Sequence, residues 1–161
     1  MTALQRLRNL LLAAPPAGLA SGLPLALSRV AVGAFFSISG FNKLALPDNR
    51  ALMLQTIADA HIPFPERMAP FVAACEFAFG LLLAIGLGTR AAAAVLFAIS
   101  SVALATVGIH HIPPGLGPFS WYSWLLYLPE SLYLLVTLTL IVRGGERLSA
   151  DAALSRRYSC A

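Results

Sequence analysis

The chain has 161 residues, 58% of them hydrophobic and 11% charged, with a formal net charge of +4. A soluble domain carries about a quarter charged residues, so this composition excludes an ordinary aqueous fold and leaves little chain for a separate soluble domain. The basic excess does not point to nucleic acid, because its arginines flank apolar runs and so act as a topology signal.

Residues 1–23 hold a short basic stretch, then Leu10, Leu11 and Leu12, then Pro15 and Pro16. That apolar run is too short for a cleaved signal peptide. Leu4, Leu7 and Leu11 share a helical face beside Arg6 and Arg8, which predicts an interfacial helix on the cytoplasmic leaflet. About 20 apolar residues cross a bilayer as a helix, and four stretches supply them, at about 25–44, 68–87, 89–109 and 121–142. The expectation is an all-α membrane protein: a four-transmembrane-helix bundle over 24–143, outer loops at 45–67 and 110–120, and a basic cytoplasmic tail at 144–161.

In the first crossing, Arg29, Gly33, Phe36, Gly40 and Lys43 recur at steps of three and four, a single face whose glycines admit a close neighbour. The third crossing aligns Ala91, Ala94, Ala98, Ser101, Ala105 and Gly108 in the same way, read as a second packing row. The first loop carries an amphipathic segment from Ala51 to Ala58 and ends in His61-Ile62-Pro63, echoed by His111-Ile112-Pro113 in the second. The echo suggests two related helix hairpins; chance explains it equally well. Trp121, Tyr122, Trp124 and Tyr127 make an aromatic belt at the outer end of the fourth crossing. Arg6, Arg8, Arg29, Arg90, Arg143, Arg147, Arg156 and Arg157 fall on one side of the bilayer, against Lys43, Arg50 and Arg67 on the other. That asymmetry places both termini in the cytoplasm.

Two carboxyls interrupt the apolar crossings, Glu76 in the second and Glu130 in the fourth. Counted along continuous helices they share a depth of roughly 10 to 14 Å below the outer boundary. A charge there costs at least ~2.5 to 3.5 kcal/mol, so each should face the interior and be protonated, paired or hydrated. Lys43, beside Asn42, is the nearest cation, and Pro129 frees a carbonyl one turn before Glu130. Glu76, Glu130, Lys43 and Asn42 thus outline a candidate polar chamber, suited to a quinol head group or a polar substrate; protonated structural carboxyls fit equally well. His61, His110 and His111 all fall on the outer side and form a candidate metal or proton site, though adjacent loop histidines are more often solvated than ligating. Cys75 and Cys160 form neither a CxxC nor a metal spacing.

Gly33, Phe36, Gly40, Lys43 and Leu44, then Glu76 with Gly80, then Gly86-Leu87-Gly88-Thr89-Arg90, and finally Gly145-Glu146-Arg147-Leu148-Ser149-Ala150-Asp151 resemble the DoxX family of bacterial membrane proteins over about Arg29 to Leu154. Family members often show Gly-Pro-Gly before that last arginine, where this chain has Arg143-Gly144-Gly145-Glu146. The resemblance implies a multi-pass protein of the bacterial inner membrane with a link to redox work. The family takes its name from a subunit associated with an archaeal quinol oxidase and thiosulfate:quinone oxidoreduction, and one relative is described as a membrane anchor for a superoxide dismutase and a sulfurtransferase. Physical roles fit the motif: Thr89 capping the third helix, Arg90 held at headgroups, and Ser149 with Asp151 starting a short helix to Tyr158 whose basic end grips anionic lipid or an acidic partner.

Three functions remain open from sequence: a membrane subunit or scaffold of a quinone-, thiol- or sulfur-linked redox system, a quinone-reactive oxidoreductase subunit, and a small transporter or metal-handling accessory protein. An accessory or anchor role is favoured over a self-sufficient enzyme, since no haem pair, flavin motif or CxxC is present. Quinone is the one cofactor the carboxyls invite, and metal is the weaker reading. The expected partners are the bilayer and soluble redox or sulfur-transfer proteins, with an oligomer left open.

Overall fold

The computed structural model describes residues 19–145 and 148–158. These are helical, without a strand among the described residues: α1 (Leu19–Ala45), α2 (Pro47–Asp59), α3 (Pro65–Ile85), α4 (Thr89–Thr106), a 3-10 turn (Gly108–His111), α5 (Pro118–Tyr127), α6 (Pro129–Arg143) and α7 (Ala150–Tyr158). Proline writes many of the boundaries. Helices α2, α3, α5 and α6 each open on one, a position where the missing N–H would have been unpaired anyway and φ is already helical. Helix α3 stops at Gly86, whose φ of 76° only glycine adopts at little cost. The Leu87 amide then donates to the Leu82 carbonyl at 3.0 Å and the Gly86 amide to Leu83 at 3.1 Å, which satisfies carbonyls the helix end would leave bare.

Three segments are long and apolar enough to cross a membrane: Gly22–Ala45, Pro65–Ile85 and Thr89–Thr106. The fourth crossing differs from the unbroken helix expected at 121–142: α5 and α6 meet at a bend of 73°. Pro129 causes it, since it cannot donate to Leu125 and its ring would collide with that carbonyl. The Ser131 hydroxyl takes up the freed Leu125 carbonyl at 2.7 Å. Depth counted from Trp121 along a straight helix therefore does not apply to Glu130. The chain is a multi-pass membrane protein with three candidate spans, or four where α5 and α6 count as one broken span, and many large apolar side chains, among them Leu27, Ile38, Phe41, Leu81, Leu135 and Val142, face outward as lipid-facing residues do.

Helix α1 packs mainly on α3 and α4 mainly on α6, with smaller seams between α3 and α4 and between α1 and α6. The glycine row of α1 makes the first seam. A Cβ on Gly33 would lie 2.5 Å from the Ala84 amide nitrogen, one on Gly40 would strike Phe77, and one on Gly80 would lie 2.5 Å from the Ser37 nitrogen. Such contact gives two helices packing without any hydrophobic driving force from lipid. The row expected on α4 behaves otherwise: Ala91, Ala94, Ala98 and Ala105 are exposed. Its inward face is Thr89, Ala92, Ala93, Leu96 and Ser100, because the bulkier Leu96 meets Leu83, Leu140, Val32 and Phe36 in the core and gains more dispersion contact there. The loop at 45–67 is largely helical, holding α2, while 110–120 holds the end of the 3-10 turn and the start of α5. The interfacial helix expected in 1–23 lies almost wholly outside the described residues.

Candidate functional site

Toward the loop end of the bundle, where α2 and α5 lie, the structure brings two of the expected chamber residues together. Lys43 ends α1 and Glu76 lies on the buried stripe Ala69, Ala73, Glu76, Gly80, Leu83 of α3. The Lys43 ammonium donates to both carboxylate oxygens, at 2.8 Å and 2.6 Å. Glu76 is 6% exposed and Lys43 27%, so the lysine is the more accessible member of the pair. Gly40 sets the reach: with no side chain there, α1 rests on the backbone of Ala73 and Phe77, and the lysine folds back onto Glu76. Each charge cancels the cost the other would carry in a low-dielectric interior.

Glu130 does not join them through a bond. It sits in the first turn of α6, where the helix dipole favours a carboxylate, against Gly108 at the start of the 3-10 turn, whose added Cβ would lie 3.6 Å from Oε2. That oxygen is buried without a hydrogen-bond partner among the described residues. Asn42 gives its carbonyl to the Leu46 amide at 2.9 Å, closing the helix end. His61, His110 and His111 are exposed, and the His111 ring meets the Val107 carbonyl at 3.1 Å. Among the described residues no three His, Cys, Asp or Glu side chains gather where they could hold a metal. A groove of about 420 Å³ opens nearby, lined by α1, α2 and α3 residues rather than by Glu76 or Glu130.

The opposite end, at the α3–α4 turn, holds a second cluster that sequence reasoning assigned differently. Arg29, expected as a topology anchor on the inner side of the first crossing, is buried, and it donates to the Leu83 and Ala84 carbonyls at 2.7 Å each and to Leu148 at 2.9 Å. It fits there because Gly86 leaves room: a Cβ would lie 2.5 Å from the guanidinium. Thr89 was expected to cap α4, but the cap comes from Asp151, sixty-odd residues on. Its carboxylate accepts from the Gly88 amide at 2.8 Å, the Thr89 amide at 3.0 Å and the Thr89 hydroxyl at 2.9 Å. The Asp151 amide in turn donates to the Gly86 carbonyl at 3.0 Å. Burial pushes the Asp151 carboxyl up, but the Thr89 and Gly88 amides, the Thr89 hydroxyl and the Arg29 charge outweigh it and hold the group below the usual carboxylate range. Ser149 starts α7 by accepting from the Ala152 amide at 3.2 Å. Arg90 is exposed and donates to the Val142 carbonyl at 3.3 Å. Arg147 lies outside the described residues. The signal for this cluster was present as Gly-x-Gly ahead of a helix without an acid in its first turn, and as the downstream Ser149-x-Asp151, which was read only as the start of a short helix.

A protein-family model, DoxX, matches residues 24–109, a little over half of the chain, from α1 through the 3-10 turn. No curated protein and no solved structure matches.

Proposed function

The chain belongs to the DoxX family of membrane proteins, and from that membership we propose that it is the membrane subunit or scaffold of a redox system, linked to quinone, thiol or sulfur chemistry. The observation that carries this reading is the clasp of α7: Asp151 and Leu148 tie the tail to α4 and α1, so whatever docks on the tail is held at a fixed place on the bundle. The redox link rests on the family resemblance. Arg29, Arg90 and Arg143 all lie at the clasp end, and by the positive-inside rule this end faces the cytoplasm of a bacterial inner membrane, with both termini there. A membrane-impermeant maleimide tests this on a cysteine-free background: Ala153→Cys should label only after the membrane is opened and Ser120→Cys before.

Purification from native membranes with mass spectrometry of what comes along tests the scaffold. A soluble redox or sulfur-transfer protein should accompany the chain and be lost with Asp151→Ala. One observation favours a second reading, a quinone-reactive subunit: the Glu130 oxygen is buried and unpartnered, as a group waiting for a hydrogen-bonding head would be. The chain recovered alone, with quinone that Glu76→Gln or Glu130→Gln releases, would replace the scaffold by that reading.

A further inference from the structure

At the loop end, residues of α1, α2 and α3, among them Leu44, Arg50, Glu66 and Pro70, line the groove of about 420 Å³, a size within the roughly 300 to 1,000 Å³ of small-ligand sites. Two facts about it stand out physically. Its walls carry one cation, Arg50, and one anion, Glu66, both exposed, and neither is engaged in an ion pair among the described residues. The rest of the lining is apolar. Its level is also set by the chain: one span ends at Ala45 and the next begins at Pro65, so the groove lies where hydrocarbon gives way to headgroups.

The side below continues the apolar surface. Phe41 is one turn before Leu44 and Phe77 two turns after Pro70, on the same helix faces, and their rings lie 6.1 Å apart, both exposed. An occupant that matches this lining carries one negative and one positive group on a head joined to hydrocarbon. We propose that the groove binds phosphatidylethanolamine, with the lipid phosphate on Arg50, the ammonium on Glu66, and an acyl chain running down past Phe41 and Phe77. Charge complementarity selects this lipid. Phosphatidylglycerol offers Glu66 neutral hydroxyl donors but no cation, and the quaternary ammonium of phosphatidylcholine cannot donate a hydrogen bond to it.

The full chain in mild detergent, titrated with phosphatidylethanolamine, phosphatidylglycerol and phosphatidylcholine and followed by native mass spectrometry, tests the assignment. One phosphatidylethanolamine should bind in preference to the other two by about three- to fivefold, the scale of an exposed charge pair. Glu66→Gln should abolish that preference and Arg50→Gln should weaken all three lipids, with thermal unfolding unchanged in both because the side chains are exposed. Asp48→Asn, an exposed acid of α2 that does not line the groove, should leave the preference intact. Equal binding of the three lipids by the unmodified chain, or a loss of preference in Asp48→Asn equal to that in Glu66→Gln, overturns the proposal.

Discussion

Arg29 and Arg90 hold matching posts: each reaches the last carbonyls of a neighbouring helix, Arg29 from within α1 to Leu83 and Ala84 of α3, Arg90 from the first turn of α4 to Val142 of α6. A guanidinium there meets both the bare carbonyls and the negative end of the helix dipole. Their settings differ, since Arg29 is buried and Arg90 exposed. Arg29→Ala should cost about 2 to 4 kcal/mol, the scale of charged hydrogen bonds lost from a buried site, and Arg90→Ala less than about 1 kcal/mol. Unfolding in detergent distinguishes them.

Breaking the Lys43–Glu76 pair from one side leaves a buried charge. Glu76→Leu or Lys43→Met alone should destabilise the chain by about 3 to 5 kcal/mol, while the double variant should recover most of the loss. A double-mutant cycle reads the coupling directly.

The clasp should depend on acid. Asp151 has a folded-state pKa below the ordinary carboxylate value, so its contribution is complete above about pH 4, the unfolded value, and is lost as pH falls through the folded one. Asp151→Asn should lower stability by about 1 to 2 kcal/mol at neutral pH. The difference between the two proteins should close below about pH 4, which parallel unfolding series across pH will show.

Among the glycines, position decides the outcome. Gly40→Ala drives a methyl group into the Phe77 backbone, which cannot yield as a side chain would, and should cost more than about 3 kcal/mol. Gly88→Ala meets nothing within 4 Å and bears only the strain of φ at 59°, about 1 to 2 kcal/mol.

Pro129→Ala restores an amide that can donate to Leu125 in competition with the Ser131 hydroxyl. The bend of 73° should relax toward a continuous helix, and the distance between spin labels at positions 120 and 135 should lengthen.

Sequence legibility followed the range of the forces. The apolar crossings, the α1 glycine seam and the nearness of Lys43 to Glu76 were readable because periodicity places residues on a face and because a charge in lipid must find the nearest opposite charge. The bend before Glu130 was half readable: Pro129 announced a freed carbonyl, but not that the chain would turn there. The exposure of the α4 alanines could not be read, since choosing between two faces of one helix depends on what α3 and α6 present to it. Least readable was Asp151 on Gly88 and Thr89, a contact between distant segments with no periodic pattern to announce it.

That contact also orders events in time. A ribosome makes Gly88 and Thr89 well before Asp151, so during synthesis the turn between α3 and α4 enters the membrane with its amides unmet. The clasp can close only after α6 has emerged, which makes it a late step of biogenesis. A nascent chain arrested before residue 151 should therefore expose the α3–α4 turn to protease that the finished protein resists.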